Sequence, residues 1–141
     1  LESAKRMDTL WATLTGNSFD DFILSFKGRE IRFPFYKDGV GRFDFFEICG
    51  QMLGPGDYLA IVDAVRVLMV DNIPQLSRSN FNEAKRFVTL IDAAYEAKIS
   101  LICSAATEPE MLYTEGEGSF EFERTASRLK EMQSKNWLKV I

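Results

Sequence analysis

The middle of the chain carries two short apolar segments with a long amphipathic pattern between them, and this arrangement constrains the fold most. The segments are residues 65–70 (Val-Arg-Val-Leu-Met-Val) and 99–103 (Ile-Ser-Leu-Ile-Cys). Between them, from Ala84 to Tyr95, apolar residues recur at the spacing of a helix with one buried face. Strands that are apolar on both faces are typical of parallel sheets. The pattern predicts a βαβ unit with a right-handed crossover, which requires further strands to complete a sheet.

Capping signals mark the starts of two helices in this βαβ region, which we assign to residues 55–105. Asn80 and Glu83 have the three-residue spacing of a capping box and predict the start of the long helix. Asp57 follows a Gly-Pro-Gly turn and predicts the start of a shorter helix over 57–64.

The N-terminal third predicts a helix followed by a β meander. Leucine and tryptophan repeat at helical spacing within residues 1–15, and Gly16 ends that pattern. Across residues 20–50, runs rich in phenylalanine are separated by glycine-containing turn signals. Pro34 cannot donate a hydrogen bond to a neighbouring strand, which predicts an edge or a bulge in the middle run. The predicted strands are residues 22–26, 30–36 and 40–45.

A C-terminal helix over residues 119–136 follows an acidic, glycine-containing loop at 114–118. The predicted fold is therefore α/β, with an N-terminal helix and a β meander, then a βαβ unit with parallel strands and a C-terminal helix. The length of 141 residues suits a single domain. The apolar stripe of the C-terminal helix consists of Phe122, Ala126, Leu129 and Met132.

Composition limits the classes of function. The net charge is −4, so the broadly basic surface of a nucleic-acid binder is missing and we expect no nucleic-acid partner. The chain has no histidine, which removes the commonest general base and imidazole metal ligands. Cys49 and Cys103 lie far apart among apolar residues, which predicts buried reduced thiols and no metal site. No apolar run approaches the ~18 residues that span a bilayer.

Two arginines stand one helical turn apart on the predicted C-terminal helix, away from its apolar stripe. Like charges at i and i+4 disfavour a helix by roughly 0.2–0.5 kcal/mol when no anion lies between them. Arg124 and Arg128 therefore indicate an anion site, most simply for nucleotide phosphate. The alternative is a salt-bridged surface in which Glu121, Glu123 and Glu131 neutralise both arginines. The spacing leaves both interpretations open.

Other charged residues are weaker candidates. Arg42 interrupts an aromatic strand and Arg86 lies on the long helix, and each could contact an anion or be a solvated surface charge. Asp71 follows an apolar strand, where ATPases place an acid that binds Mg²⁺, but such a residue also caps turns and helices. Asp92 is one of several scattered acids without the spacing of a paired-carboxylate site.

No catalytic residues are expected within this chain alone. The sequence has no G-x-x-x-x-G-K-[ST] motif, so it cannot hold ATP phosphates by a P-loop. It also has no recognisable arrangement of a nucleophile with its base.

Segments spread along the chain, in order, resemble one protein family. They include 40–45 (Val-Gly-Arg-Phe-Asp-Phe), 56–60 (Gly-Asp-Tyr-Leu-Ala), 85–92 (Lys-Arg-Phe-Val-Thr-Leu-Ile-Asp) and the long segment 120–134 (Phe-Glu-Phe-Glu-Arg-Thr-Ala-Ser-Arg-Leu-Lys-Glu-Met-Gln-Ser). Over residues 25–138 the chain resembles the C-terminal portion of the ZapE-type ATPases, the bacterial cell-division relatives of a mitochondrial AAA+-like ATPase.

The resemblance implies a P-loop ATPase whose phosphate-binding half precedes this segment. The chain, 1–141, is then a single C-terminal half-domain of a larger ATPase. ATP and Mg²⁺ are the implied cofactors of the full-length protein, and neither is expected to bind this chain alone. In such ATPases a helical arginine C-terminal to the core senses the γ-phosphate, and Arg124 and Arg128 occupy the matching positions. The chain departs from the family pattern at Ala93 and Ala106, where the family often has glutamate.

The resemblance also implies partners and a location. The expected partners are the N-terminal P-loop half and the tubulin-like protein of the division ring or another client protein. Bacterial members are cytoplasmic and associate peripherally with the inner membrane, and a eukaryotic member would be mitochondrial.

A second hypothesis treats the chain as a protein-interaction module. Twelve residues are phenylalanine, and many lie between Phe19 and Phe46. This aromatic β meander would form either a compact core or a face that another protein covers. In the second case it would dock a client or partner, and the arginines would be structural.

Overall fold

A computed structural model describes residues 2–114, 119–133 and 137–139 of the chain. Within these residues it forms a five-stranded sheet, a separate two-stranded hairpin and a set of helices, which confirms the predicted α/β class. The strands are β1 (Phe22–Phe26), β2 (Arg29–Phe33), β3 (Phe35–Lys37), β4 (Val40–Asp44), β5 (Val67–Ile73), β6 (Ser100–Ala105) and β7 (Trp137–Lys139). The α-helices are α1 (Glu2–Thr15), α2 (Phe45–Cys49), α3 (Pro55–Asp63), α4 (Phe81–Ala97) and α5 (Ser119–Gln133), and 3-10 turns lie at Arg78–Asn80 and Pro109–Met111.

The larger sheet has the strand order β3-β4-β5-β6-β7. Strands β4 to β7 run parallel, and β3 joins β4 as an antiparallel edge strand. The predicted βαβ unit is confirmed as β5-α4-β6 and lies at the centre of this sheet. Its neighbours are β4, which the sequence assigned to a meander, and β7, which the sequence analysis did not predict.

The helices are divided unequally between the two faces of the sheet. Each connection between parallel strands leads to the adjacent strand, always in the same direction along the sheet. The helices within these connections, α2 to α5, therefore lie on the same face of the sheet. Leu68 of β5 belongs to the core on that side, together with Phe87 of α4. The next residue of the strand, Met69, packs on the opposite side against Trp11 of α1. Strand β5 is therefore buried on both faces, as its apolar sequence requires.

The predicted β meander of residues 20–50 is divided between two sheets. Strands β1 and β2 pair as a separate antiparallel hairpin, and the chain bends at Pro34 before β3 begins. Pro34 has no N–H to donate, so it separates the two sheets instead of lying within one strand. The hairpin still packs closely on β4, because a Cβ added at Gly41 would lie 2.8 Å from the Phe33 ring. This close approach requires glycine at position 41.

The predicted strand 40–45 ends at Asp44 because that residue caps a helix. Asp44 Oδ2 accepts a hydrogen bond from the Phe46 N–H at 3.3 Å, and the Asp44 N–H donates to Glu47 Oε1 at 2.7 Å. This reciprocal capping box begins α2 inside the segment that was assigned to β structure. The prediction of a strand through residue 45 is therefore wrong at its end.

The predicted capping box of Asn80 and Glu83 is also wrong. Asn80 stands at the start of α4, but its side chain makes no capping hydrogen bond to that helix. Instead, Asn80 Oδ1 accepts the Ser77 N–H at 2.7 Å, and Ser77 Oγ accepts the Ser79 N–H at 3.3 Å. The reciprocal cap thus belongs to the 3-10 turn before α4, because Ser77 offers a hydroxyl one turn earlier.

The predicted C-terminal helix is confirmed as α5, and Phe122, Ala126 and Leu129 of its apolar stripe are buried. The end of that prediction, residues 134–136, lies outside the described residues, as does most of the predicted acidic loop. Among the described helices, none combines the length and apolarity that a membrane crossing requires.

Replacing Phe87 with alanine tests the core between the sheet and its helical layer. The ring is fully buried, and its centroid lies 5.9 Å from that of Phe45 and 6.2 Å from that of Phe122. We expect Phe87→Ala to lower the free energy of unfolding by about 3–5 kcal/mol, because a large apolar ring is lost and a cavity remains. Denaturant titration measures this change.

Phe46→Ala provides a control of the same chemistry, because this ring is 52% exposed. Its expected loss is below about 1 kcal/mol. Equal losses for the two variants would contradict the assigned core.

Candidate anion site

The packing of α4 against α5 brings the functional candidates together. The ring of Phe87 on α4 stacks on that of Phe122 on α5, with 22° between the planes. The polar edges beside these apolar stripes therefore meet on the outer surface. They carry Asp92 on α4 and the two arginines on α5, Arg124 and Arg128, which we call the arginine pair.

Both members of the arginine pair reach the same carboxylate. Arg128 Nη1 lies 2.5 Å from Asp92 Oδ1, and Arg124 Nη2 lies 3.4 Å from Asp92 Oδ2. The side chain of Arg128 is 21% exposed and that of Arg124 is 63% exposed. Two guanidinium charges and one carboxylate charge leave a formal charge of +1 in this ion-pair group.

A second contact fixes Arg128. Its guanidinium carbon lies 4.6 Å from the centroid of the Tyr95 ring. The Tyr95 hydroxyl donates to both carboxylate oxygens of Glu131, at 3.0 Å each. This hydrogen bond, together with the negative charge of Glu131, raises the pKa of Tyr95. Tyr95 therefore links α4 to α5 and forms a platform for the Arg128 guanidinium.

The two ion pairs differ in strength. A short, partly buried, charge-assisted hydrogen bond such as that of Arg128 contributes about 1.5–3 kcal/mol. Stacking on an aromatic ring adds about 0.5–1 kcal/mol at an exposed site. The longer and more exposed contact of Arg124 belongs to a class that contributes about 0–1 kcal/mol. Arg128 is therefore held firmly, whereas Arg124 is held weakly.

The prediction that glutamates of the same helix neutralise the arginine pair is wrong. Among the described residues, neither arginine forms an ion pair with Glu121, Glu123 or Glu131. Their partner is Asp92, which the sequence analysis treated as a scattered acid. A carboxylate from the neighbouring helix comes closer than those along α5, and Glu131 is occupied by Tyr95. The sequence offered one indication that Asp92 belongs to the site. Asp92 and Tyr95 are three residues apart, which places both on one side of a helix.

Arg42 is paired inside the protein, so the alternative that it is a solvated surface charge is wrong. Its guanidinium lies 2.7 Å and 3.3 Å from the two carboxylate oxygens of Asp71, and 2.9 Å from Asp8 Oδ1 on α1. Burial alone would lower the pKa of Arg42, but the hydrogen bonds and charges of Asp71 and Asp8 together raise it. This network joins α1 to the sheet.

Asp71 itself lies inside β5, not at a turn, so its predicted capping role is wrong. Both of its oxygens contact Arg42. Within the described part of the chain, no group of three or more acidic or cysteine side chains is positioned to hold a metal ion. The structure gives no support to metal binding by Asp71.

Arg86 also has an internal partner. Its Nη1 donates to the carbonyl oxygen of Cys49, the last residue of α2, at 3.1 Å. A cation at a helix C-terminus satisfies a free carbonyl group and interacts favourably with the helix dipole. Arg86 therefore joins α4 to α2 and differs from a freely solvated charge.

The two cysteines have the predicted state, because both Cys49 and Cys103 are buried and free. Burial raises the pKa of both thiols, which keeps them protonated and unreactive.

Comparison with known proteins places this α/β domain in an ATPase family. The family model of the AFG1-like ATPases matches residues 2–140. The chain is 30% identical over 139 residues to the cell division protein ZapE of Escherichia coli K12. These 139 residues make up 98% of the chain and 37% of that protein. It is 29% identical over 147 residues to lactation elevated protein 1 homolog B of Danio rerio, which covers 82% of the chain and 29% of that protein.

The chain belongs to the AFG1-like ATPase family. It spans about a third of the length of these curated relatives. No solved structure matches the chain. The resemblance that the sequence motifs indicated is therefore confirmed at the level of the family.

Replacing Asp92 with asparagine tests the ion pairs that join α4 to α5. We expect Asp92→Asn to lower the free energy of unfolding by about 1–2 kcal/mol, because two guanidiniums one turn apart lose their common anion. The measurement is a denaturant titration. Asp63→Asn, at the exposed end of α3, is the matched control and should change the value by less than about 0.5 kcal/mol. Identical midpoints for the two variants would show that the shared carboxylate does not stabilise the fold.

Proposed function

We propose that this chain is the C-terminal part of an ATP-hydrolysing, AAA+-like ATPase and that its arginine pair senses the phosphates of ATP. Membership of the AFG1-like ATPase family supports the ATPase role. The sequence contains no P-loop motif, and the chain spans about a third of its curated relatives. The P-loop would therefore lie in a preceding half of the full-length protein, which is the first partner of this chain.

The observation that carries this proposal is the imbalance of charge between α4 and α5. Asp92 faces two guanidiniums, and Arg124 is largely exposed. A guanidinium presents a planar fork of N–H donors that matches the oxygens of a phosphate group. A phosphate group at this surface would supply the negative charge that the pair lacks.

The contribution of the pair to hydrolysis would be electrostatic. In phosphoryl transfer, water attacks the γ-phosphorus, the bond to the bridging oxygen breaks, and ADP and phosphate are released. Bound Mg²⁺ and arginine side chains stabilise the charge on the transferred group. Mg²⁺ and the P-loop would belong to the preceding half, and the chain described here would add the arginine. An arginine bound to the γ-phosphate also couples the nucleotide state to domain motion.

The relative in Escherichia coli is a cell division protein. By analogy, we propose that the client is a protein of the division machinery, such as its tubulin-like ring protein. The corresponding location is the bacterial cytoplasm with peripheral association at the inner membrane, or the mitochondrion in a eukaryote.

The double variant Arg124→Ala/Arg128→Ala, in a full-length form that contains the P-loop, tests this function. We expect kcat for ATP hydrolysis to fall by at least about tenfold, because the transition state loses its arginine contact. Lys130→Ala is the control, since Lys130 lies on the same helix and is 60% exposed. If the double variant keeps both its kcat and its affinity for ATP, the arginine pair is not a nucleotide sensor.

A second candidate function is protein docking through an aromatic surface, which we define as Trp11, Phe19 and Phe35. The Phe19 and Phe35 rings are 59% and 42% exposed, and their centroids lie 5.2 Å apart in an edge-to-face arrangement. The Phe35 ring also contacts the largely buried ring of Trp11, with 5.9 Å between centroids. Exposed aromatic side chains on a rigid support are typical binding hot spots. In this interpretation the arginine pair has a structural role.

Binding of a purified tubulin-like division protein to the full-length protein tests the docking function. We expect Phe19→Ala/Phe35→Ala to weaken that binding by at least about tenfold, because truncated aromatic anchors typically cost 2 kcal/mol or more. Leu59→Ala, a 56% exposed apolar residue on α3, is the control. An unchanged dissociation constant for the double variant would exclude this surface as the docking site.

A further inference from the structure

The two members of the arginine pair are not equivalent. Arg128 makes the short contact to Asp92, rests on the Tyr95 ring and is 21% exposed. Arg124 makes one contact of 3.4 Å and is 63% exposed. A ligand that approaches from solvent therefore meets the guanidinium of Arg124 first.

Negative charge is also distributed unequally between them. Arg128 pairs with Asp92, and its Tyr95 platform is tied to the carboxylate of Glu131. Glu131 stands three residues from Arg128, and Glu121 stands three residues from Arg124, but Glu121 forms no ion pair with Arg124 in the part of the chain that the structure describes. The ion-pair partner of Arg124 there is Asp92, at 3.4 Å, so Arg124 is the less compensated of the two arginines.

The geometry at Asp92 explains why Arg124 stays available. One carboxylate can bind a guanidinium through both oxygens, and such a bidentate pair is the strongest form of this interaction. Here Arg128 takes Oδ1 at 2.5 Å, which leaves Oδ2 for the long contact with Arg124. Without Arg128, Asp92 would have Arg124 as its remaining partner in this group and could bind it with both oxygens.

We propose that Arg124 is the residue that contacts the terminal phosphate of ATP, and that Arg128 is a positioning residue that occupies Asp92 and keeps Arg124 free. Tyr95 supports this arrangement by holding the Arg128 guanidinium in place. The assignment rests on the proposed function, because it names which arginine does what within that site.

The test uses the full-length ATPase and measures kcat and KM for Mg²⁺-ATP together with the midpoint of thermal unfolding. We expect Arg124→Ala to lower kcat by roughly tenfold or more with little change in the midpoint, because its side chain is exposed. We expect Arg128→Ala to lower the midpoint more and to lower kcat by roughly three- to tenfold, because Asp92 then binds Arg124.

Adding Asp92→Asn separates positioning from a structural role. In the Arg128→Ala background it releases Arg124, so kcat should recover by about threefold or more. In the Arg124→Ala background it should restore nothing, because the contacting group itself is missing. A residue that merely stabilised the fold would show no such recovery. If Arg128→Ala does not fold, Arg128→Met, which keeps most of the side-chain volume but has no donor for Asp92, replaces it in the same comparison.

Two results would overturn the assignment in different ways. If Arg124→Ala keeps the wild-type kcat while Arg128→Ala loses it without recovery on adding Asp92→Asn, then Arg128 is the contacting residue. If the Arg124→Ala/Arg128→Ala variant keeps the wild-type kcat, the proposed function fails, and the assignment fails with it.

Discussion

The burial of β5 on both faces is the constraint on which the rest of the structure depends. Leu68 and Met69 are adjacent in the sequence and fully buried, but they belong to different cores. A strand of this kind needs hydrogen-bonded neighbours on both edges and a covering layer on both sides. Strands β4 and β6 provide the neighbours, the layer of α2 to α5 covers one face, and α1 covers the other.

The same constraint produces the candidate site. Because all the crossovers step in one direction, α4 and α5 lie side by side on one face and bury their apolar stripes against the sheet. Their polar edges then form a seam on the outer surface. Asp92 and Tyr95 of α4 meet the arginine pair of α5 along that seam, although Asp92 precedes Arg124 by 32 residues and Arg128 by 36. Arg124 and Arg128 differ in that seam, because Arg128 is covered by Tyr95 and is 21% exposed, whereas Arg124 is 63% exposed.

A comparable ion pair on the other face has a different character. Arg42 lies between Asp71 and Asp8, and its side chain is 13% exposed. Two carboxylates surround one guanidinium there, whereas one carboxylate faces two guanidiniums on the outer seam. The charge of Arg42 is compensated and its side chain is covered, so this residue attaches α1 to the sheet. Arg124 is exposed and weakly paired, so its guanidinium is free to bind an anion.

The sequence by itself determined the elements that follow from local periodicity. The βαβ unit, α1, α5 and the buried thiols were predictable, because apolar spacing reports which face of a segment is buried. The family could also be recognised from the segment 120–134, and the AFG1-like ATPase family model matches the chain. Tertiary structure decided the rest: the split of the meander at Pro34, the pairing of β4 with β5, the addition of β7, and the choice of Asp92 over the glutamates of α5. These features depend on which surfaces meet in space, and sequence spacing along one element carries no information about the element packed beside it.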